Sequence, residues 1–295
     1  MMNLVKYILE NDFGTIETNY SFKEITTIEV GGNIKYYYSP NSINNLSKVF
    51  KFINDNNIKY FVIGNGSNVL ASDDFFDGVV INMKSLPNKL ELNNEYIYVG
   101  ASYPTIKLAY DLSRLCLGDL SFLGGIPGLL GGAIFNNSGA FNDNISNHLI
   151  DIDYIDSDGN LQTISRKNAN FGYRTSIFKS FNWIVVGAKI KVEKMDTSLK
   201  LEQNFNYRIN TQPINKKSMG SVFKNHPLIE SWKIIDSLGL RGFNINDAEI
   251  SKKHTNFIIN NNNANYSDIN SLIELIKRRS ENELGIKLEP EITFI

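Results

Sequence analysis

The stretch "GGIPGLLGGAIFNNSGA", Gly124 to Ala140, carries six glycines, three alanines or serines and one proline, with no charged side chain. Glycine loses more conformational freedom on ordering than any other residue, so a cluster this dense marks positive φ angles or close approach by another backbone or a ligand. Upstream, "PTIKLAYDLSRLCLG" from Pro104 to Gly118 reads as a helix with a glycine stop. Downstream, "NHLIDIDYIDSDGNLQTIS" alternates Ile150, Ile152 and Tyr154 with acidic residues, breaks at Asp158 and Gly159, and resumes at Leu161. That pattern predicts a β-hairpin, and "NWIVVGAKIKVEK" predicts one more strand.

Towards the N-terminus, residues 42 to 57 place Ile43, Leu46, Val49, Phe50 and Ile53 at helical spacing behind a Ser42 cap, and the β-branched, aromatic "YFVIG" follows. "FDGVVINM" and "EYIYVGAS" continue with strand character. The composition changes over residues 195 to 213, which are polar and end at a proline, and a domain boundary is expected there. Beyond it come a helix "LIESWKIIDSLGLRG", a strand "NFIIN" and an asparagine-rich loop. A second helix, "SDINSLIELIKRRSENELG", puts Ile269, Leu272, Ile273 and Ile276 on one face, Asp268 in its first turn and Gly285 at its stop. A last strand, "KLEPEITFI", closes the chain.

At 295 residues and 33.4 kDa, with 42% hydrophobic and 21% charged residues, the chain has the size and composition of a folded multidomain protein. Thirty basic against thirty-one acidic side chains, with no long basic block, give no compositional support to nucleic-acid binding and favour small-molecule chemistry. The start "MMNLVKYILENDFG" reaches Glu10 before an apolar run can build, and no later segment approaches a membrane span, so a cytoplasmic location without a membrane partner is expected. Cys116 is the only cysteine, which excludes an intramolecular disulfide and a multi-cysteine metal site, and it is expected to be a small buried hydrophobe. No metal site is expected.

Five stretches carry polar chemistry. "VIGNGSNVLASD" follows a strand, and Gly64, Asn65, Gly66, Ser67 and Asn68 offer successive N–H groups and short polar side chains suited to an anion-binding nest. It lacks the third glycine of the dinucleotide fingerprint, and a lone G-x-G after a strand is more commonly a tight turn. In the second glycine stretch Pro127 fixes one turn, while Asn136, Asn137 and Ser138 offer polar contacts; close packing around "LLGGAIF" is the alternative reading. Arg174 in "NFGYRTSIFK" can clamp a carboxylate or phosphate bidentately, or lie on the surface. Ser221, in "KKSMGSVFKNHP" at the head of the strand-like "SVF", stands in no nucleophile elbow and would act as a proton donor. Glu289 and Glu291 alternate in "LEPE" and would share one strand face.

Taken in order, "TTIEVGG", "GNGSNVLASD", "GGIPGLLGGAIFNNSGAF", "FGYRTSIF", "GSVFKN", "SKKHTNFIIN" and "LEPEITFI" resemble the UDP-N-acetylenolpyruvoylglucosamine reductase family, from about residue 20 to the C-terminus. The resemblance implies an α+β fold: a two-lobed FAD-binding region of the vanillyl-alcohol-oxidase type over residues 1–83 and 84–196, then an α+β substrate domain over 197–295. It implies FAD contacts from Gly64, Asn65, Gly66, Ser67, Asn68 and Val69 around the pyrophosphate, and from Ile126, Pro127, Gly128, Gly132, Asn137 and Gly139. It implies Tyr173, Asn225 and His254 as substrate-binding residues, and Ser221, Arg174 and Glu291 as catalytic ones. Ser221 matches the proton donor, and Arg174 and Glu291 match the residues that polarise the substrate carboxylate and stabilise the intermediate, Glu291 by donating a hydrogen bond if it is held protonated.

The implied activity is NADPH-dependent, FAD-mediated reduction of the enolpyruvyl ether of UDP-N-acetylglucosamine to the lactyl ether, UDP-N-acetylmuramate, in peptidoglycan precursor synthesis. No protein partner is evident. The chain departs from the usual family pattern at Thr26 and Thr27, Leu129, Met219 and His226; the last two flank Ser221 and bear on substrate fit. The short link from "SIFK" to "NWIVVG" matches the branch of the family without a tyrosine-bearing insertion. His148, His226 and His254 all lie outside the glycine segments, which favours noncovalent FAD. Two other readings stay open: another FAD oxidoreductase of the same fold, such as a hydroxy-acid oxidase or dehydrogenase, and a noncatalytic flavin- or sugar-nucleotide-binding relative.

Overall fold

Ser42 begins the most plainly encoded helix, Ile43–Asp55: its side chain accepts from the Asn45 N–H, and Leu46, Val49, Phe50 and Ile53 are fully buried along one face. Side chains of this size contribute roughly 1.5–3 kcal/mol each on burial, which outweighs the weak intrinsic propensity of the β-branched members. The computed structural model describes residues 3–191 and 193–295. They fall into two units that are discontinuous in sequence: one from residues 1–19, 35–65 and 77–206, the other from residues 20–34, 66–76 and 207–295.

The first unit holds the helix Ile43–Asp55 and two sheets. One runs in the spatial order Gly14–Glu17, Asn33–Pro40, Phe76–Asn82, Tyr60–Ile63, with the last two strands parallel. The other is antiparallel in the order Leu161–Ser165, Leu149–Ile155, Ile184–Lys191, Tyr96–Gly100, Leu90–Leu92. The predicted hairpin is its first pair, turned by Asp156, whose carboxylate accepts from the Asp158 and Asn160 N–H groups, and by Gly159 at φ +80°. The core draws on Val79, Ile81, Ile97, Val99, Ile152 and Val186.

The second unit is built on an antiparallel sheet ordered Lys217–Ser221, Phe257–Asn260, Ala248–Ile250, Asn244–Ile245. The helix Tyr266–Leu284 brings Ile269, Leu272, Ile273 and Ile276 into its core; a reciprocal capping box between Asn265 and Asp268 starts the helix and Gly285 at φ +68° ends it. The short strand Val69–Leu70 pairs in parallel with Thr293–Phe294.

Four expectations change. Cys116 is exposed rather than buried, because the helix Thr105–Arg114 ends four residues before Gly118 and Cys116 itself takes the left-handed turn, at φ +53°. The polar stretch after residue 195 contains a helix, Ser198–Thr211, that buries only Leu201 and Asn204. The helix expected from Leu228 starts at Ser231, leaving Leu228 90% exposed. The closing strand shrinks to Thr293–Phe294, so strand alternation does not fix Glu289 and Glu291 on a common face.

Candidate active site

In the first unit the glycine segment and the "FGYR" turn are tied together. Gly172 and Thr175 exchange backbone hydrogen bonds of 3.1 and 3.3 Å around Tyr173 and Arg174. Arg174 sits at φ +54°, a left-handed conformation costly for any residue with a Cβ, and such strain concentrates at functional positions. Its guanidinium donates to the Gly139 carbonyl at 2.8 Å and lies 5.1 Å from the Tyr173 ring centre. Asn137, buried, donates to the Gly172 carbonyl at 2.8 Å and accepts from the Ser146 N–H, while the Ser176 hydroxyl donates to the Phe135 carbonyl at 2.7 Å. Asn137, Gly139, Tyr173 and Arg174 therefore form one cluster.

The preceding loop is held from below. The Thr105 hydroxyl donates to the Ile126 carbonyl at 2.6 Å and its N–H to the Gly128 carbonyl, which fixes the backbone on both sides of Pro127. Gly128 takes φ +153°, outside the range comfortable for a side chain. A Cβ at Gly64 would lie 3.1 Å from the Leu129 side chain, so Gly64 abuts this loop.

In the second unit four sequence-distant motifs converge. The Thr27 hydroxyl donates to the Ser218 carbonyl at 2.6 Å and its N–H to the Gly66 carbonyl at 3.2 Å. Asn68 donates through its side chain to the Glu291 carbonyl at 3.1 Å, and the Thr293 N–H donates to the Asn68 carbonyl. Glu291 in turn donates its N–H to the Val222 carbonyl at 2.8 Å, one residue after Ser221. A Cβ on Gly220, which takes φ +75°, would be in ordinary van der Waals contact, at 3.6 Å, with the Ser67 carbonyl oxygen. Ser67, Asn68, Val69, Ser221 and Glu291 thus lie on neighbouring segments. Glu289 is set apart: it is exposed and pairs with Lys224 at 3.2 Å.

Ser221 stands at the end of its strand rather than the start. Met219 is fully buried in the core of the second unit, so it does not share the partly exposed setting of Ser221; Gly220 and a register shift between Ser218 and Ser221 break the alternation that would have put both on one face. Asn225 accepts from the Ser231 N–H at 3.1 Å, and the His226 ring accepts from the Leu228 N–H. His254 lies edge-on to Phe257, with ring centres 4.9 Å apart, and its Nδ1 is buried without a hydrogen-bond partner. Burial, and then the nearby Arg241 charge, push its pKa down to about 4. Local patterning does not reveal Thr27 or Asn256 as members of this cluster, because their partners are about 190 and 33 residues away.

The glycine segment fits a planar cofactor. A Cβ at Gly132 would meet no atom from outside its own helix within 4 Å, and Asn136, whose amide nitrogen donates to the Gly132 carbonyl, holds a buried oxygen with no hydrogen-bond partner. A bare surface beside an orphaned acceptor suits a flat heterocycle bearing a donor. Among the described residues no group of His, Cys, Asp and Glu could hold a metal ion, and no helix is long and apolar enough to cross a membrane.

Comparison with known proteins agrees with this geometry. A family model described as FAD binding domain matches residues 34–165, and one described as UDP-N-acetylenolpyruvoylglucosamine reductase, C-terminal domain, matches residues 212–295. The UDP-N-acetylenolpyruvoylglucosamine reductase of Halalkalibacterium halodurans is 37% identical over all of this chain and 99% of its own length. The one from Orientia tsutsugamushi is 36% identical over 96% of this chain and 95% of its own length. The crystal structure of the Thermus caldophilus reductase superposes with a TM-score of 0.81 at 29% identity, covering 96% of this chain and 99% of that one. A berberine bridge enzyme variant, at 14% identity and TM-score 0.50 over 65% of this chain and 43% of its own, shares the fold alone. The α+β fold with an FAD-binding region of the vanillyl-alcohol-oxidase type is the one the sequence predicts. The chain belongs to the UDP-N-acetylenolpyruvoylglucosamine reductase family.

Proposed function

We propose that this protein reduces UDP-N-acetylglucosamine enolpyruvate to UDP-N-acetylmuramate with electrons from NADPH. The overall exchange balances as NADPH, one proton and the enolpyruvyl ether giving NADP⁺ and the lactyl ether. Bound FAD supplies the two-electron chemistry between the two substrates. The chain's residues supply binding, orientation and the proton. The cofactor would lie against the bare surface at Gly132, with Asn136 Oδ1 as an acceptor, the Ile126–Gly128 backbone and Asn137 and Gly139 at its border, and the nest Gly64–Val69 would take its pyrophosphate. We assign no covalent tether to FAD.

Arg174 would hold the substrate carboxylate as negative charge grows on it, a task its fork and its fixed, strained backbone both suit. Ser221 would give a proton to the carbon next to that carboxylate and recover it from solvent. Glu291, in its protonated form, would donate a hydrogen bond to the same developing charge. Tyr173, Asn225 and His254 would contact the sugar nucleotide. The observation that carries the reading is the hydrogen bond from the Glu291 N–H to the Val222 carbonyl, which supports a joint role for Ser221 and Glu291 in one reaction. NADPH as reductant and a cytoplasmic location, with no protein, nucleic-acid or membrane partner, belong to the same proposal.

Rapid-mixing absorbance at the flavin band separates the two half-reactions. Ser221→Ala should leave reduction by NADPH near the wild-type rate and slow reoxidation by the enolpyruvyl sugar nucleotide about 10²–10⁴-fold. Arg174→Lys should slow the same half with FAD retained, because it keeps the charge and loses the fork. Reoxidation by a hydroxy-acid couple but not by the sugar nucleotide would favour another oxidoreductase of this fold, and no turnover with either would mark a binding protein.

A further inference from the structure

The ladder that carries Ser221 is irregular. Ser218 faces Ile259, the next pair is Ser221 with Phe257, and the extra residue on the first strand makes a bulge around Gly220. Beyond Ser221 the ladder ends, yet Val222 and Phe223 are each only 1% exposed, so their backbone groups need partners other than water. Asn256 provides them. Its carbonyl accepts from the Val222 N–H at 2.8 Å, its side-chain oxygen accepts from the Phe223 N–H at 2.9 Å, and its side-chain nitrogen donates to the Phe223 carbonyl at 2.8 Å. On the other edge of this segment the Val222 carbonyl accepts from the Glu291 N–H and the Lys224 N–H donates to the Glu289 carbonyl.

We infer that Asn256 is a positioning residue for Ser221: its carboxamide continues the ladder past the bulge and sets the direction in which Ser221–Phe223 runs beside Glu291. The backbone ladder itself carries only the Val222 N–H, to the Asn256 carbonyl; both polar groups of Phe223 depend on the Asn256 side chain. The amide is 3% exposed and both its donor and its acceptor are used, so an apolar side chain would orphan two buried groups at once. Displacement of a reacting group by about 1 Å is enough to cost a large factor in rate. The inference rests on the proposed role of Ser221 as proton donor.

The test uses FAD-loaded Asn256→Ala, with the isosteric Asn256→Asp as a second variant should the first fail to fold. Reoxidation by the enolpyruvyl substrate should slow at least about tenfold while reduction by NADPH stays within about twofold, as expected for a group that sets geometry for one step. In the Ser221→Ala background the same change should add less than about twofold, since no hydroxyl remains to be aimed. In the flavin-free protein, hydrogen-exchange protection of the Val222, Phe223 and Glu291 amides should fall about tenfold or more. Wild-type reoxidation, equal slowing of both halves, a full multiplicative effect on Ser221→Ala, unchanged exchange, or failure of both variants to fold would overturn it. Ser221→Ala at the wild-type rate would instead overturn the proposed function.

Discussion

A methyl group placed on Gly66 would lie 2.3 Å from the Ile25 carbonyl oxygen and 2.7 Å from the Thr26 Cα, whereas one placed on Gly132 would meet no atom from outside its own helix within 4 Å. Both glycines come from segments the sequence marks as cofactor loops, and the physical reasons for the missing side chain differ. At Gly66 the chain turns through φ +63° against its own backbone, so the protein itself demands glycine. At Gly132, inside the helix Leu130–Phe135, nothing in the protein demands it. A glycine explained by folding and a glycine left over for a ligand can be told apart only when the neighbours are known.

The first consequence is a contrast in stability. Gly66→Val combines a left-handed β-branched residue with a collision against a carbonyl, and should destabilise by about 3–5 kcal/mol. Thermal unfolding followed by circular dichroism checks it, and a midpoint within about 2 °C of wild type would erase the contrast.

The second unit resists a proton in the same way. His254 has a buried, unpartnered Nδ1 and a pKa pushed from 6.5 to about 4 by burial and then by Arg241. Above pH 6.5 the ring is neutral in both folded and unfolded chains and its full contribution is present. As pH falls from 6.5 towards 4 the unfolded chain takes up a proton that the folded one refuses, so stability drops by roughly 3 kcal/mol. His254→Gln removes that component. Denaturant titrations at pH 7 and pH 4.5 should bring the variant and the wild type apart by most of that amount; a constant difference would show that the ring tolerates its charge.

Gly132→Val tests the opposite side of the contrast. Valine is a somewhat better helix residue than glycine, so the flavin-free protein should be unchanged or slightly more stable, while FAD affinity falls at least about tenfold, or ~1.4 kcal/mol. Fluorescence titration with FAD measures it. Wild-type affinity would mean that the bare surface at Gly132 faces no cofactor.

Much of this was legible in the sequence wherever a local rule decides the outcome. The Ser42 cap, the Asp158-Gly159 turn and the four-residue apolar face of Tyr266–Leu284 each follow from residues within one or two turns of one another. The seven motifs located the family, because their order along the chain can be read from the sequence without knowing what each one touches. What stayed hidden depends on distant partners. Arg174 takes a positive φ in a turn whose residues give no warning, Met219 is turned into the core by a bulge, and the helix Ser198–Thr211 forms with only two buried side chains to announce it. The discontinuous units, which join residues 20–34 and 66–76 to the C-terminal part, have no local signature.

Gly64 lies between the two extremes, and the smallest predicted effect is the most discriminating. A Cβ there would stand 3.1 Å from Leu129 Cδ1, the end of a side chain rather than a backbone, and no positive φ is involved. Gly64→Ala should therefore cost at most about 1 kcal/mol, since the leucine can yield by a few tenths of an ångström and the alanine lowers the entropy of the unfolded chain. Leu129 is only 5% exposed, and its side chain is the one that crowds a Cβ at Gly64. In a Leu129→Ala background, already destabilised by about 2–5 kcal/mol, the extra methyl should become neutral or stabilising by a few tenths, because the crowding has gone and part of the cavity is filled. FAD titration of the same four proteins then separates the two causes. If Gly64 is bare only to admit Leu129, Gly64→Ala leaves FAD affinity intact once Leu129 is trimmed; if it is bare for the cofactor's pyrophosphate, the affinity loss persists in both backgrounds, and Gly64 joins Gly132 rather than Gly66.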